Sequence, residues 1–321
     1  MKAVVYTRYG TPDELRLTEV PTPVPQDGEV LVKVRSVSLN LSDWEGLTGR
    51  PLYSRLGGLR RPRRHVLGSD IAGQVVATGP GATMFQPGDD VYADILTYLG
   101  GFAEYVCVPE KVLARMPEAM TYEQAAALPQ AGVIALQGIV EKGQVRAGHR
   151  VLINGAGGGS GMYAIQLAKL RGAEVTGVDN GEKQESMRAL GADHTIDYTR
   201  EDFTRNGRTY DLILDLAAYR SVRAYHRALA PGGRYFCVGG SLGTLLRVLV
   251  GGALTGRRTG KKVRVLAVRM GVEHLAPIVE LCRQGKIVTV IDSRYRLDEV
   301  PQALRHLGEG HAKGKVVVNL D

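Results

Sequence analysis

Residues 155–161 read GAGGGSG, five glycines in seven positions, directly after the apolar run Val151-Leu152-Ile153-Asn154. No other stretch restricts the fold as strongly, because bare backbone of this density marks a place where the main chain must turn sharply or be approached closely. Three glycine-rich turns carry chemistry, and their flanks differ. A mononucleotide P-loop ends in Gly-Lys-Ser/Thr, so that amides and a lysine hold phosphates while the hydroxyl meets magnesium. Here Ser160 stands five residues after Gly155, and no lysine follows until Lys169. A hydrolase elbow needs Gly-x-Ser-x-Gly, but Met162 occupies its last position. A dinucleotide-binding turn remains, beside the plainer reading of a turn that only packs a helix onto a strand.

The surroundings favour the dinucleotide turn. Apolar residues at helical spacing, among them Ala164, Ile165, Leu167, Ala168 and Leu170, follow Met162, and Gly172 ends them. A second strand, Ala173 to Val178, ends at Asp179. The strand, turn, helix and strand span about 30 residues, the length of one Rossmann unit. Gly155, Gly158 and Gly161 give a Gly-x-x-Gly-x-x-Gly spacing; the strict Gly-x-Gly-x-x-Gly form fails because Ser160 stands in place of its last glycine. A pyrophosphate would lie on the amides of this turn and helix start, which comprises Gly155, Ala156, Gly158, Gly159, Ser160 and Gly161.

The rest of the chain divides into two patterns. The first 120 residues read as short strands broken by Gly and Pro, such as Ala3 to Tyr6, Glu29 to Val37 and Ile71 to Ala77. After Met120, strands at 151–154, 174–178, 193–198, 210–216, 233–238 and 262–268 alternate with helix-length segments, which predicts a doubly wound parallel sheet. From Gly285 the chain reads as irregular until a last strand, Lys315 to Leu320, which returns to the first domain. The expected fold class is therefore α/β. It comprises a Rossmann domain over 120–284 and a mostly β catalytic domain over 1–119 and 285–321.

At 321 residues and 44% hydrophobic content the chain can bury two cores. Cys107, Cys237 and Cys282 lie far apart, so neither a disulfide framework nor a zinc knuckle is expected, and the expected compartment is reducing. The N-terminus lacks the apolar core of a signal peptide and no stretch approaches the roughly 18 apolar residues of a membrane span, which makes the cytoplasm the expected location. The net charge is +8, with arginine clustered at 50–64 (RPLYSRLGGLRRPRR) and basic residues at 257–264 (RRTGKKVR). Such runs are usually solvated surface; phosphate-rich substrates or nucleic acid are the other readings.

Taken together, VLGSDIAGQVVATG (66–79), GGFAEY (100–105), AAALPQAG (125–132), the glycine turn, LGADHTIDY (190–198), VGGS (238–241) and GKVVV (314–318) carry a family likeness over nearly the whole chain. The chain resembles the medium-chain dehydrogenases/reductases, and among them the zinc-free, zeta-crystallin-like quinone oxidoreductases. The first domain is then of GroES-like type. Where the zinc-dependent branch has a Cys and a Gly-His-Glu triplet, this chain has Asn40 and Gly68-Ser69-Asp70, and Asp89 to Tyr105 contains none of the cysteines of a structural-zinc lobe. A catalytic zinc needs about three protein ligands. No metal is expected, and His65, four residues before Ser69, reads as a surface or packing residue.

Without zinc to polarise an alcohol, the resemblance implies hydride transfer from a reduced nicotinamide to a quinone or α,β-unsaturated carbonyl. It implies that Asn40 and Asp43 line the acceptor site. Where relatives carry a Tyr this chain has Trp44-Glu45, leaving Tyr53, and behind it Tyr98, as candidate proton donors; a family Thr is Ile134. The cofactor is contested. An acid ending the second strand, here Asp179, usually receives the ribose hydroxyls of NAD. Lys183 and Tyr198, however, match positions that hold the 2′-phosphate of NADPH in relatives, with Asn180 as a further donor; the plainer reading has Lys183 facing solvent and Tyr198 packing on adenine. NADPH is the expected cofactor and NADH a possible one. Leu216, Val238, Gly239, Gly240 and Lys313 complete the implied dinucleotide contacts, and a homodimer is implied. Competing readings are an enoyl-CoA-type reductase docking its substrate on 50–64, an RNA-binding crystallin-like protein, which the few aromatics among the basic runs disfavour, and peripheral membrane contact through 242–254.

Overall fold

The computed structural model describes residues 1–320, with backbone alone over 253–259. Two compact units result. The first comprises Met1–Gln130, Met270–Arg283 and Ile291–Asp321, the second Ala131–Arg269 and Gln284–Val290. Relative to the expected ranges, the first unit also takes 120–130 and 270–283, and the second takes 285–290; the first of these follows because the short helix Tyr122–Ala126 packs on the first unit's strands and Glu123 is bound by Arg294 and Asn319 of the same unit.

In the second unit six parallel strands stand in the order His194–Asp197, Glu174–Asp179, Arg150–Asn154, Tyr210–Asp215, Leu229–Cys237, Lys262–Val265. Numbered along the chain this is 3-2-1-4-5-6, the doubly wound order expected from the sequence. The strands read as near-continuous Val, Ile and Leu because both faces are covered. Val151, Leu152 and Ile153 are all fully buried. The order reverses between Arg150–Asn154 and Tyr210–Asp215, so the carboxyl ends of these two strands, Asn154 and Asp215, bound the crevice in which ligands of such sheets lie.

The first unit is built on a seven-stranded sheet in which Glu29–Ser38 pairs with Asp70–Thr78, Tyr105–Pro109 and Lys315–Asn319. Alternation is visible in Val30, Val32 and Val34, each buried, between half-buried neighbours. The segment after Gly285, expected to be irregular, instead contains the strand Ile291–Arg296, paired parallel with Lys315–Asn319, and the helix Val300–Gly308. The helix follows from Val300, Ala303 and Leu304, buried at i, i+3 and i+4, with a proline in its first turn. The strand IDSRYR lies at the sheet edge and has no apolar alternation to reveal it.

Candidate active site

The glycine turn is a strand-to-helix turn. Gly155 has φ +81°, a left-handed conformation suited to glycine, and its N–H and that of Ala156 both donate to the Val178 carbonyl at 2.9 and 3.1 Å. The helix Gly159–Leu170 begins with Gly158 as its N-cap. Each glycine is required for a different reason. A Cβ on Gly161 would collide with the carbonyl oxygens of Gly155 and Ala156, so this glycine serves the close packing of helix on turn. A Cβ on Gly157 would land 2.5 Å from Lys183 Cδ. A Cβ on Gly158 would meet only the Gly155 carbonyl, at 3.6 Å, so among the described residues little crowds this position. Gly159 and Ser160 follow it half-exposed, and the first amides of a helix have no partner within it. An open amide cradle at the start of a 12-residue helix fits a pyrophosphate.

Asp179 turns inward. Its carboxylate is buried and accepts the N–H of Gly157 at 3.0 Å and of Asn180 at 2.9 Å. Lys183, far from facing solvent, lies across Gly157 with its side chain 6% exposed and its Nζ 3.4 Å from Asp179 Oδ1. The pair thus cancels the charge that either residue alone would show to a ribose or a 2′-phosphate. Asn180 Oδ1 is buried and finds no hydrogen-bond partner among the described residues, which leaves an acceptor beside the pair. Tyr198 is 48% exposed, and its N–H donates to the Asp179 carbonyl.

The second strand end is held by a network the sequence does not reveal. Buried Asp215 accepts hydrogen bonds from Asn154 Nδ2 at 2.7 Å, Ala217 N at 3.1 Å and the Tyr235 hydroxyl at 2.8 Å. Burial pushes its carboxyl above the usual carboxylate range, while Asn154 and Tyr235 oppose the rise. The Tyr225 hydroxyl accepts the N–H groups of Tyr219 and Arg220 at 3.1 and 2.9 Å. This fastens the loop that starts at Leu216, whose N–H donates to Asn154 and whose Cβ bounds the space at Gly155. Val238 donates to the Asp215 carbonyl, and Gly239 and Gly240 follow with φ +69° and +114°. The expected turn residues, Leu216 and Val238 are therefore grouped at the crevice.

In the first unit, Asn40 and Asp43 belong to a buried polar cluster. Lys315 Nζ donates to Asn40 Oδ1 at 2.6 Å and to the Leu39 carbonyl at 3.1 Å. This fixes the Asn40 amide, whose Nδ2 donates to Asp70 at 2.8 Å and Ser69 at 3.2 Å. Asp43, fully buried, accepts from the N–H groups of Asn40 and Gly68 and from the Ser69 hydroxyl. Gln130 Nε2 bridges Asp70 and Asp94 at 3.4 and 3.2 Å, and Ser42 donates to Gln130 Oε1 at 3.0 Å. Burial pushes Asp43 and Asp94 each up to about 6, raises Asp70 well above its usual value and lowers Lys315. Three carboxylates thus surround one ammonium, with no thiol or imidazole among them. Sequence reasoning missed Lys315, Gln130 and Asp94 as site residues; GKVVV reads as a family segment and a terminal strand, with no role for its lysine.

Among the described residues, the remaining candidates share no hydrogen bond with this cluster. Tyr53 donates to Glu45 at 3.3 Å, and burial and that carboxylate push its hydroxyl up to about 12. Tyr98 lies under Arg64, Trp44 packs against Gly308, and Lys313 and His65 are exposed. Ile134 is half-buried.

Residues 26–118 match the alcohol dehydrogenase GroES-like domain, and residues 190–318 match a domain described as zinc-binding dehydrogenase. The chain is 35% identical to the chloroplastic quinone oxidoreductase QR1 of Triphysaria versicolor, over 99% of this chain and 98% of that one. It is 32% identical to a chloroplastic NADPH-dependent alkenal/one oxidoreductase of Arabidopsis thaliana, over 99% and 79%. The solved quinone oxidoreductase of Coxiella burnetii superposes with a TM-score of 0.87 at 29% identity, covering 100% of this chain and 99% of that one. With both domains, the strand order and the glycine turn in place, the chain belongs to the medium-chain dehydrogenase/reductase superfamily, in its quinone oxidoreductase branch.

Proposed function

We propose that this protein is an NAD(P)H-dependent, zinc-independent reductase of quinones or α,β-unsaturated carbonyls. The observation that carries the reading is the open space over Gly158 at the switch point of a doubly wound sheet, backed by relatives named quinone and alkenal/one oxidoreductases. The turn from Gly155 to Gly161 holds the pyrophosphate, Asn180, Lys183 and Tyr198 meet the adenosine ribose, and Leu216, Val238, Gly239, Gly240 and Lys313 make further contacts. A reduced nicotinamide bound in this way supplies the hydride. NADPH is the preferred cofactor, because Lys183 and Tyr198 offer a 2′-phosphate a cation and a hydroxyl. With Lys183 already paired to Asp179, NADH stays usable.

In the first unit, Asn40, Ser42 and Asp94 are the members of the polar cluster that keep exposed surface, and Asn40 and Ser42, which carry hydrogen-bond donors, meet the acceptor oxygen. Asp43 acts by holding Asn40 and Ser69, and Tyr53 is the candidate proton donor. Zinc independence is supported by the donor set: Lys315 places an ammonium against Asn40 and among Asp43, Asp70 and Asp94, where its charge opposes a second cation.

The protein acts in the cytoplasm as a homodimer. Among the described residues the edge strand Lys262–Val265 pairs on one side only, and the helix Leu242–Thr259 exposes Leu242, Leu246, Leu249 and Val250 beside it, a face suited to a second copy. Ala253, Leu254 and the start of the 257–264 basic run lie outside the described side chains. No helix of the described residues is long and apolar enough to cross a membrane. The test is a steady-state screen of NADPH and NADH against quinones, enones and enoyl-CoAs. Turnover of quinones or enones supports the reading; turnover of enoyl-CoAs alone would replace it with the acyl-CoA alternative.

A further inference from the structure

Apart from Tyr53, the arginine-rich run at 50–64 takes no part in the site described above. Between Gly46 and Ser69 the chain has no acidic residue, yet six arginines fall between Arg50 and Arg64. Among them Leu52, Leu56 and Leu59 are 68%, 84% and 75% exposed, among the most exposed of the large apolar residues described. The loop is nevertheless fastened. The Tyr9 hydroxyl donates to the Gly58 carbonyl at 2.6 Å, Arg55 Nε donates to the Gly49 carbonyl at 2.9 Å, and the Arg55 guanidinium lies 4.8 Å over the Tyr9 ring. The leucines therefore project from a held loop. Arg60, Arg61, Arg63 and Arg64 are exposed, and none of them forms an ion pair with a carboxylate among the described residues.

We propose that this loop is a docking surface for an anionic lipid bilayer, the leucines entering the interface and the arginines meeting lipid phosphates. The combination decides between possible occupants. Leucines beside uncompensated arginines match the layered chemistry of a bilayer surface, with hydrocarbon beneath and anionic headgroups above. A second copy meeting the same patch across a two-fold axis would set arginine against arginine. Single-stranded nucleic acid needs stacking platforms, and the run's one aromatic, Tyr53, has its hydroxyl on Glu45. The inference goes beyond the reductase reading and does not depend on the acceptor's identity.

The experiment is co-sedimentation of the full chain with phosphatidylcholine vesicles and with phosphatidylcholine–phosphatidylglycerol vesicles, at low and high salt. Binding to the anionic vesicles that weakens with salt is expected, with little binding to the neutral ones. Replacing Arg60, Arg61, Arg63 and Arg64 together by Gln should lower the partition coefficient by about fivefold per arginine, several-hundred-fold in all. The triple variant Leu52→Ser, Leu56→Ser and Leu59→Ser, with its charge unchanged, should lose the binding that survives high salt. All seven side chains are exposed, and an unchanged circular-dichroism melt verifies folding of each variant. Equal binding to both vesicle types, or wild-type binding by the arginine variant, would overturn the proposal. So would binding to single-stranded RNA, or concentration-dependent self-association lost in the leucine variant, if vesicle binding is absent.

Discussion

Two glycines of the same turn should fail in different ways when given a side chain. Gly158 sits at φ −93° and ψ −176°, extended backbone that Val adopts readily, and its Cβ would touch only the Gly155 carbonyl at 3.6 Å. Gly158→Val should therefore cost the fold no more than the poorer helix cap, about 1 kcal/mol. Its side chain would fill the space over the helix-start amides. Two charge-assisted hydrogen bonds to a pyrophosphate, each about 1.5–3 kcal/mol, would be lost, which raises the Kd for either nicotinamide cofactor at least about a hundredfold. Gly161→Ala, by contrast, drives a methyl into two backbone carbonyls that cannot rotate away, and it should cost about 1–3 kcal/mol of stability or more. Urea unfolding and titration of nicotinamide fluorescence on both variants separate the two effects. A folded Gly158→Val protein that keeps its affinity within a few fold would refute the pyrophosphate assignment, and Gly161→Ala as stable as wild type would refute the packing argument.

Further outcomes follow from the other sites. Asp179→Asn should tighten NADPH binding about tenfold, because Lys183 no longer has to be drawn off a carboxylate, and leave NADH within about threefold. Lys183→Met should weaken NADPH by about tenfold or more, and calorimetry that instead finds NADH weakened tenfold by Asp179→Asn would mean that Asp179 holds the ribose. Asp43 and Asp94, each raised to about 6, bind protons more tightly in the folded state, so their stabilising contribution is complete below about pH 4 and is lost as pH rises to about 6. Each group accounts for up to about 3 kcal/mol. Urea midpoints at pH 4 and 7 should therefore differ less in Asp94→Asn than in wild type, and an unchanged difference would contradict the assignment. Tyr53→Phe should lower kcat for enones, which need a proton delivered to carbon or oxygen, and leave cofactor Kd unchanged; equal kcat in the variant would remove Tyr53 as donor.

The fold was legible where local pattern and burial agree. The six parallel strands are short apolar runs separated by helix-length segments, and five of them were bounded within two or three residues by composition alone; Leu229–Cys237 begins earlier than expected because Ala-Pro-Gly-Gly reads as a turn. The glycine turn was legible because it combines glycine spacing with a strand before and apolar residues at helical spacing after. The edge strand Ile291–Arg296 was not, because an exposed edge selects no alternation. The site was legible in part. Asn40 and Ser69 announce the missing metal ligands, yet the ammonium of Lys315 reaches Asn40 from 275 positions away, a contact that no local spacing encodes. Asp179 and Lys183 stand four apart, a separation that hints at an ion pair, but the pairing depends on Lys183 lying across the side-chain-free Gly157, which only the folded turn reveals.

The central claim is zinc-independent hydride transfer from a reduced nicotinamide to an electron-poor acceptor. Its most direct test is the rate of NADPH oxidation at 340 nm by the purified chain with a simple quinone, after exhaustive dialysis against a strong chelator and with zinc content measured on the same sample. The account predicts full activity with no stoichiometric zinc, NADPH consumed one for one with quinone reduced. Activity lost on dialysis and restored by added zinc, or no oxidation of NADPH or NADH with any quinone or enone, would contradict it.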